Sequence, residues 1–178
     1  MLPSPLILEG TMSDPSIESC KPPFKCAFPI KMSEITLWDT PSKCHVDKLL
    51  HSVDFECDEG THVYAARSGE VVWVKDDSNV GGKHRKFYNC GNRIVIRHQD
   101  GYYTAYEHLQ YKGSKVVVGQ KVRKGQLIGL SGNTGITSGP HLHFELFIKP
   151  SDDQSEGTTI PIDWDWHHKN AGFGVGEE

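Results

Sequence analysis

The chain has 178 residues, 37% of them hydrophobic, with a formal charge of -4 and a pI of about 6.2. That length supports one domain with a packed core and leaves too little chain for two. The mild acidity excludes the basic field that draws proteins to nucleic acid or anionic membranes, and no stretch approaches the roughly 20 apolar residues that span a bilayer. A monomer with no nucleic-acid partner and no membrane insertion is the expectation.

Residues 1–35 are rich in Pro, Ser and Cys and lack periodicity, so they read as an irregular N-terminal arm. The opening "MLPSPLILEG" lacks the charged start and long apolar centre of a signal peptide, which suggests a mature form. Five cysteines (Cys20, Cys26, Cys44, Cys57 and Cys90) allow at most two internal bridges. "CKPPFKC" could close a small loop, and the count leans towards an oxidising, periplasmic or secreted location, with reduced thiols as the alternative.

From Val53 onward short runs rich in Val, Ile, Tyr and Thr alternate with glycine-bearing turns: "VDFEC", "THVYAA", "GEVVWVKDD", "NRIVIRH", "YYTAYEHL", "KVVVG", "LIGLSG" and "HLHFELFI". β-branched and aromatic residues fit a pleated, half-buried surface, so residues 36–150 are predicted to form an all-β, mostly antiparallel domain. "DSNVGGKHRKFYNCGN" is polar and reads as a surface loop between two strands. Residues 151–178 form a C-terminal tail, acidic at first and then carrying "IPIDWDWHH", whose tryptophans are expected to dock on the body.

"TSGPHLHFEL" carries the first chemical signal. In a strand, positions i and i+2 share a face, so His141 and His143 project together while Leu142 and Phe144 face the core. Two crowded imidazoles need something to use their lone pairs, and a divalent metal is the commonest user. Zinc accepts imidazole nitrogen and carboxylate oxygen, and catalytic zinc keeps three protein ligands and one open position. Asp54 in "HSVDFEC" and His108 in "TAYEHLQ" are candidate partners. Tyr64, Tyr103 and Tyr106 either pack in the core or line a groove.

From about His45 to Phe147 the chain resembles the lysostaphin-type (LytM-like) zinc metallopeptidases, murein endopeptidases that cut peptidoglycan cross-links. The blocks "VDFECDEGTHVYAARSGEVVWV", "NRIVIRHQDGYYTAYEHL" and "VVVGQKVRKGQLIGLSGNTGITSGPHLHFEL" occur in that family's order. The resemblance implies a LytM-like β-sheet groove built on a duplicated hybrid motif, a Zn2+ cofactor and a peptidoglycan peptide as substrate. It implies Asp54 and His143 as zinc ligands, and His108 and His141 as the catalytic, non-ligand histidines. The family's usual histidine four residues before the aspartate is Leu50 here, which cannot bind zinc. His45 and His51 are the alternatives. An odd offset places His51 on the far face of a regular strand from Asp54, whereas His45 escapes that rule, and some relatives carry an aromatic at the position matching His51 and a histidine farther upstream. The expected metal set is therefore His45, Asp54 and His143, with Cys44 a possible soft ligand. A rival reading is a degenerate family member that binds wall peptide or a partner protein without cleaving it. A third, a biotinyl- or lipoyl-type carrier, is disfavoured because the tip-like "SGNTG" has no lysine to carry the cofactor.

Overall fold

The computed structural model describes residues 22–39, 47–149 and 157–166. Twelve strands account for the regular structure: β1 (Leu37–Asp39), β2 (Val53–Glu56), β3 (His62–Tyr64), β4 (Gly69–Lys75), β5 (Gly81–Gly82), β6 (Arg93–Arg97), β7 (Tyr102–Glu107), β8 (Lys121–Val122), β9 (Leu127–Leu130), β10 (Gly135–Ile136), β11 (His141–Ile148) and β12 (Thr158–Thr159). Among the described residues, helix is confined to short 3-10 turns, and no helix is long and apolar enough to cross a membrane.

The main sheet runs β1-β2-β11-β7-β6-β4-β8, with β12 added to β11, and every pairing in it is antiparallel. Alternate side chains of a strand point to opposite faces, and in β6, β7 and β11 both faces carry buried residues, Val95, Tyr103, Ala105 and Phe147 forming a second, smaller cluster. Leu142, Phe144 and Leu146 of β11 lie in the core with Val53 and Phe55 of β2, Ile94 and Ile96 of β6, and Tyr106 of β7. Each such side chain contributes about 1.5–3 kcal/mol by leaving water. The opposite face carries His141 in register with Glu56, His143 with Asp54 and Glu107, and Glu145 with Ala105.

The core is closed by segments without periodicity. Cys26, Ala27, Phe28 and Ile30 are fully buried, and Phe28 stacks on Trp164 with ring centroids 4.6 Å apart. Cys26 bridges to Trp164 in parallel fashion through backbone hydrogen bonds, Cys26 N to Asp163 O at 2.8 Å and Asp165 N to Cys26 O at 2.8 Å. Trp164 thus docks as expected, while Trp166 packs edge-on to Phe28 and stays half exposed. Cys26, Cys57 and Cys90 are free thiols, and Cys20 and Cys44 lie outside the described residues.

The segment read as a plain surface loop holds more order than its composition suggests. Gly81–Gly82 pair in parallel with Gly135–Ile136, and residues Arg85–Cys90 form a 3-10 turn capped by His84, whose Nδ1 accepts from Lys86 N. A Cβ on Gly81 would sit 1.9 Å from Asn133 O, so only glycine allows this pairing. Of the three tyrosines, Tyr106 is wholly buried and Tyr64 and Tyr103 nearly so. All three pack rather than line an open groove.

Candidate metal and catalytic site

Three strands converge on one spot. The register sets His143 opposite Asp54 on β2 and opposite Glu107 on β7, and His108 follows Glu107 as that strand ends. His143 Nδ1 lies 2.8 Å from Asp54 Oδ1 and its Nε2 lies 3.0 Å from Glu145 Oε1. Burial alone would strip this ring of its charge. The hydrogen bonds to Asp54 and Glu145, with the charges of Glu145 and Glu107, outweigh burial and lift its pKa to about 10, so both nitrogens donate.

His108 is held by a different device. Its backbone has φ +60°, a left-handed conformation that costs a non-glycine residue about 1–2 kcal/mol. The turn is pinned by buried Asn92, whose Nδ2 donates to Leu109 O at 3.1 Å and Gln110 O at 3.3 Å, and whose carbonyl accepts from Leu109 N at 3.2 Å. Asn92 N donates in turn to Thr134 Oγ1 at 3.0 Å. The Thr134 carbonyl receives His108 Nδ1–H at 2.7 Å. Burial, then the neighbouring His141 and His143, push the His108 pKa down to about 3, so the ring is neutral and Nε2 keeps its lone pair.

His141 repeats the arrangement. Its Nδ1 donates to Gly139 O at 2.9 Å, which leaves Nε2 as the nitrogen 3.9 Å from Asp54 Oδ1. The rings of His108 and His141 lie 4.5 Å apart, and those of His108 and His143 5.9 Å apart. Both flanking histidines thus spend Nδ1–H on a backbone carbonyl, which leaves Nε2 as the ring nitrogen not tied to the backbone. Gly135, at φ +83°, completes the wall, since a Cβ there would meet Gly91 Cα at 2.8 Å and His108 Nδ1 at 3.4 Å.

The structure therefore brings together four of the residues singled out from sequence: Asp54, His108, His141 and His143. His45 and Cys44 lie outside the described residues. His51 lies in the turn before β2, where its backbone N–H donates to Thr159 Oγ1 at 3.0 Å. Among the described residues no group of three or more His, Cys, Asp or Glu side chains is arranged to hold a metal ion. Asp54 and His143 offer one oxygen and one nitrogen donor, which suits zinc and amounts to two of the three protein ligands a catalytic site uses. Glu145, Glu107, Arg93 and Asn92 were not singled out beforehand. Glu145 follows His143 by two residues, so the same period-two rule already placed it on that face.

His108, His141 and His143 thus gather beside Asp54. Residues 49–155, more than half of the chain, match Peptidase family M23, and the chain belongs to that family. The peptidoglycan DD-endopeptidase ShyA of Vibrio cholerae is 40% identical over 114 residues, 63% of this chain and 23% of that protein. Lysostaphin of Staphylococcus simulans is 35% identical over 128 residues, 70% of this chain and 22% of that protein. The chain spans less than a quarter of the length of either relative. Among solved structures, a zinc containing peptidase from Vibrio cholerae superposes with a TM-score of 0.51 at 35% identity, covering 68% of this chain and 36% of that one. The mostly antiparallel groove expected from sequence is thus the fold of this family.

Proposed function

We propose that this chain is a zinc-dependent endopeptidase that hydrolyses peptide cross-links of bacterial peptidoglycan, working in the periplasm or outside the cell. The observation that carries this reading is the pair of Nε2 atoms, of His108 and of His141, presented beside Asp54 and His143 while backbone carbonyls hold both Nδ1–H groups. Membership of family M23 and the named activity of ShyA supply the substrate class.

Asp54, through a carboxylate oxygen, and His143, through Nδ1 once the metal has displaced its proton, would hold the metal, with His45 as the third ligand. Zinc, when bound, supplies a Lewis acid that polarises the scissile carbonyl and makes nearby water acidic at neutral pH. The chain's own groups do the rest. A flanking imidazole accepts the proton of the attacking water at Nε2 and then passes that same proton to the leaving amine. Burial keeps the His108 ring neutral at physiological pH, so it does not repel the metal.

Incubation of the zinc-loaded chain with purified peptidoglycan, followed by assay of newly freed amino termini, tests this reading. Release is the expected result, and zinc-bound protein that frees none from any wall type overturns it. His45→Ala is expected to abolish zinc retention through gel filtration, whereas retention unchanged by that substitution moves the third ligand to His51. The second reading, a binding module that cleaves nothing, draws on Leu50 standing four residues before Asp54. It predicts a chain that fails to retain about one zinc, because two ligands bind weakly.

A further inference from the structure

Glu145 has no part in the chemistry above, yet its carboxylate is buried against the back of His143. Burying a carboxylate is costly unless its oxygens are bonded, so its surroundings are informative. Oε1 lies 3.0 Å from His143 Nε2, and Oε2 lies 3.6 Å from Arg93 Nη2. Arg93 Nε lies in turn 3.0 Å from Glu107 Oε1. The register makes this a frame across strands: Arg93 faces Glu107 between β6 and β7, and Glu107 faces His143 between β7 and β11.

An imidazole offers two nitrogens, and a ring free to turn over could present either. With Nε2–H committed to Glu145, only Nδ1 points to Asp54. We propose that Glu145, steadied by Arg93, is a positioning residue that selects Nδ1 of His143 as the metal-binding atom and fixes the plane of that ring. A carboxylate behind a ligating histidine also raises the basicity of the ligating nitrogen, and loss of such partners costs about 10- to 100-fold in metal affinity. The inference rests on the metallopeptidase reading above and extends it to residues outside the ligand set.

The test titrates zinc into the metal-stripped full chain against a colorimetric chelator, for wild type, Glu145→Gln, Glu145→Leu and Arg93→Met. The melting temperature of each metal-free protein is measured alongside. Glu145→Leu is expected to weaken zinc binding about 100-fold, and Glu145→Gln about 10-fold or less because its amide carbonyl still accepts Nε2–H. Arg93→Met is expected to fall between wild type and Glu145→Leu. A purely structural Glu145 would lower the metal-free melting temperature and leave the zinc affinity of folded protein within twofold of wild type, which overturns the inference. Should Glu145→Leu fail to fold, Glu145→Gln and Arg93→Met decide by the same criterion. A wild-type chain that retains no zinc overturns the metallopeptidase reading and this inference with it, whereas tight wild-type binding with unaffected variants overturns this inference alone.

Discussion

His108 adopts a backbone conformation that a β-carbon disfavours, as Asp47 and Lys112 do elsewhere, and its ring lies 4.5 Å from that of His141 on β11. Asparagine tolerates that conformation better than histidine. His108→Asn is therefore expected to melt within about 2 °C of wild type while hydrolysis falls about 100- to 10,000-fold, as loss of a proton-transfer group does. Thermal denaturation and an amine-release assay check the two halves. His141→Ala is expected to show a comparable loss of activity with zinc retained, because its ring is turned by Gly139 O rather than held as a ligand. At this scale the sequence was informative where a rule is local. Period two put His141 and His143 on one face, and the same rule reached Glu145. Asn92 was illegible, because its side chain acts on Leu109 and Gln110 across a loop and on Ser78 O at 2.8 Å, contacts that no spacing encodes.

Between elements, the wall of the site is the interlocking of three loops rather than any one of them. Asn92 ties residue 78 to the turn after β7, Thr134 ties that turn to β10, and β10 pairs with β5. Asn92→Ala would leave several buried backbone groups without partners, at about 1–3 kcal/mol each before water relieves them. Loss of about 2–3 kcal/mol in urea denaturation is expected, together with a fall in turnover, since the turn carrying His108 is released. The long strands β4, β6, β7 and β11 were legible from their β-branched alternation. The parallel Gly81–Gly82 contact was not, because two glycines carry no pattern and their pairing depends on Asn133 approaching closely.

Across the whole molecule, a second buried histidine links stability to pH. His98 sits beneath the sheet with Nδ1 2.9 Å from Ser68 O and Nε2 2.9 Å from Thr104 Oγ1, and Thr104 Oγ1 lies 3.2 Å from the Tyr106 hydroxyl. Burial, aided by the charge of Arg67, pushes its pKa down to about 4 from 6.5. The unfolded chain takes up this proton at a higher pH than the folded one. Stability from the neutral ring is thus complete above about pH 6.5 and is lost as pH falls towards 4, by about 3 kcal/mol at most. Denaturant unfolding at pH 7 and pH 4 is expected to show that loss, and His98→Gln to reduce it.

Residues 26–30 and 157–166 meet in the interior, on a part of the chain reaching beyond residues 49–155 that match the family. The packed unit therefore extends past the borders of the family match. A fragment cut to the matched stretch would keep Asp54, His108, His141 and His143 but bare Phe55 and Phe144, which Phe28 and Trp164 now shield. Such a piece is expected to clump or to bind hydrophobic dyes, and it also lacks His45, so trimming to the family match would give a poor reagent.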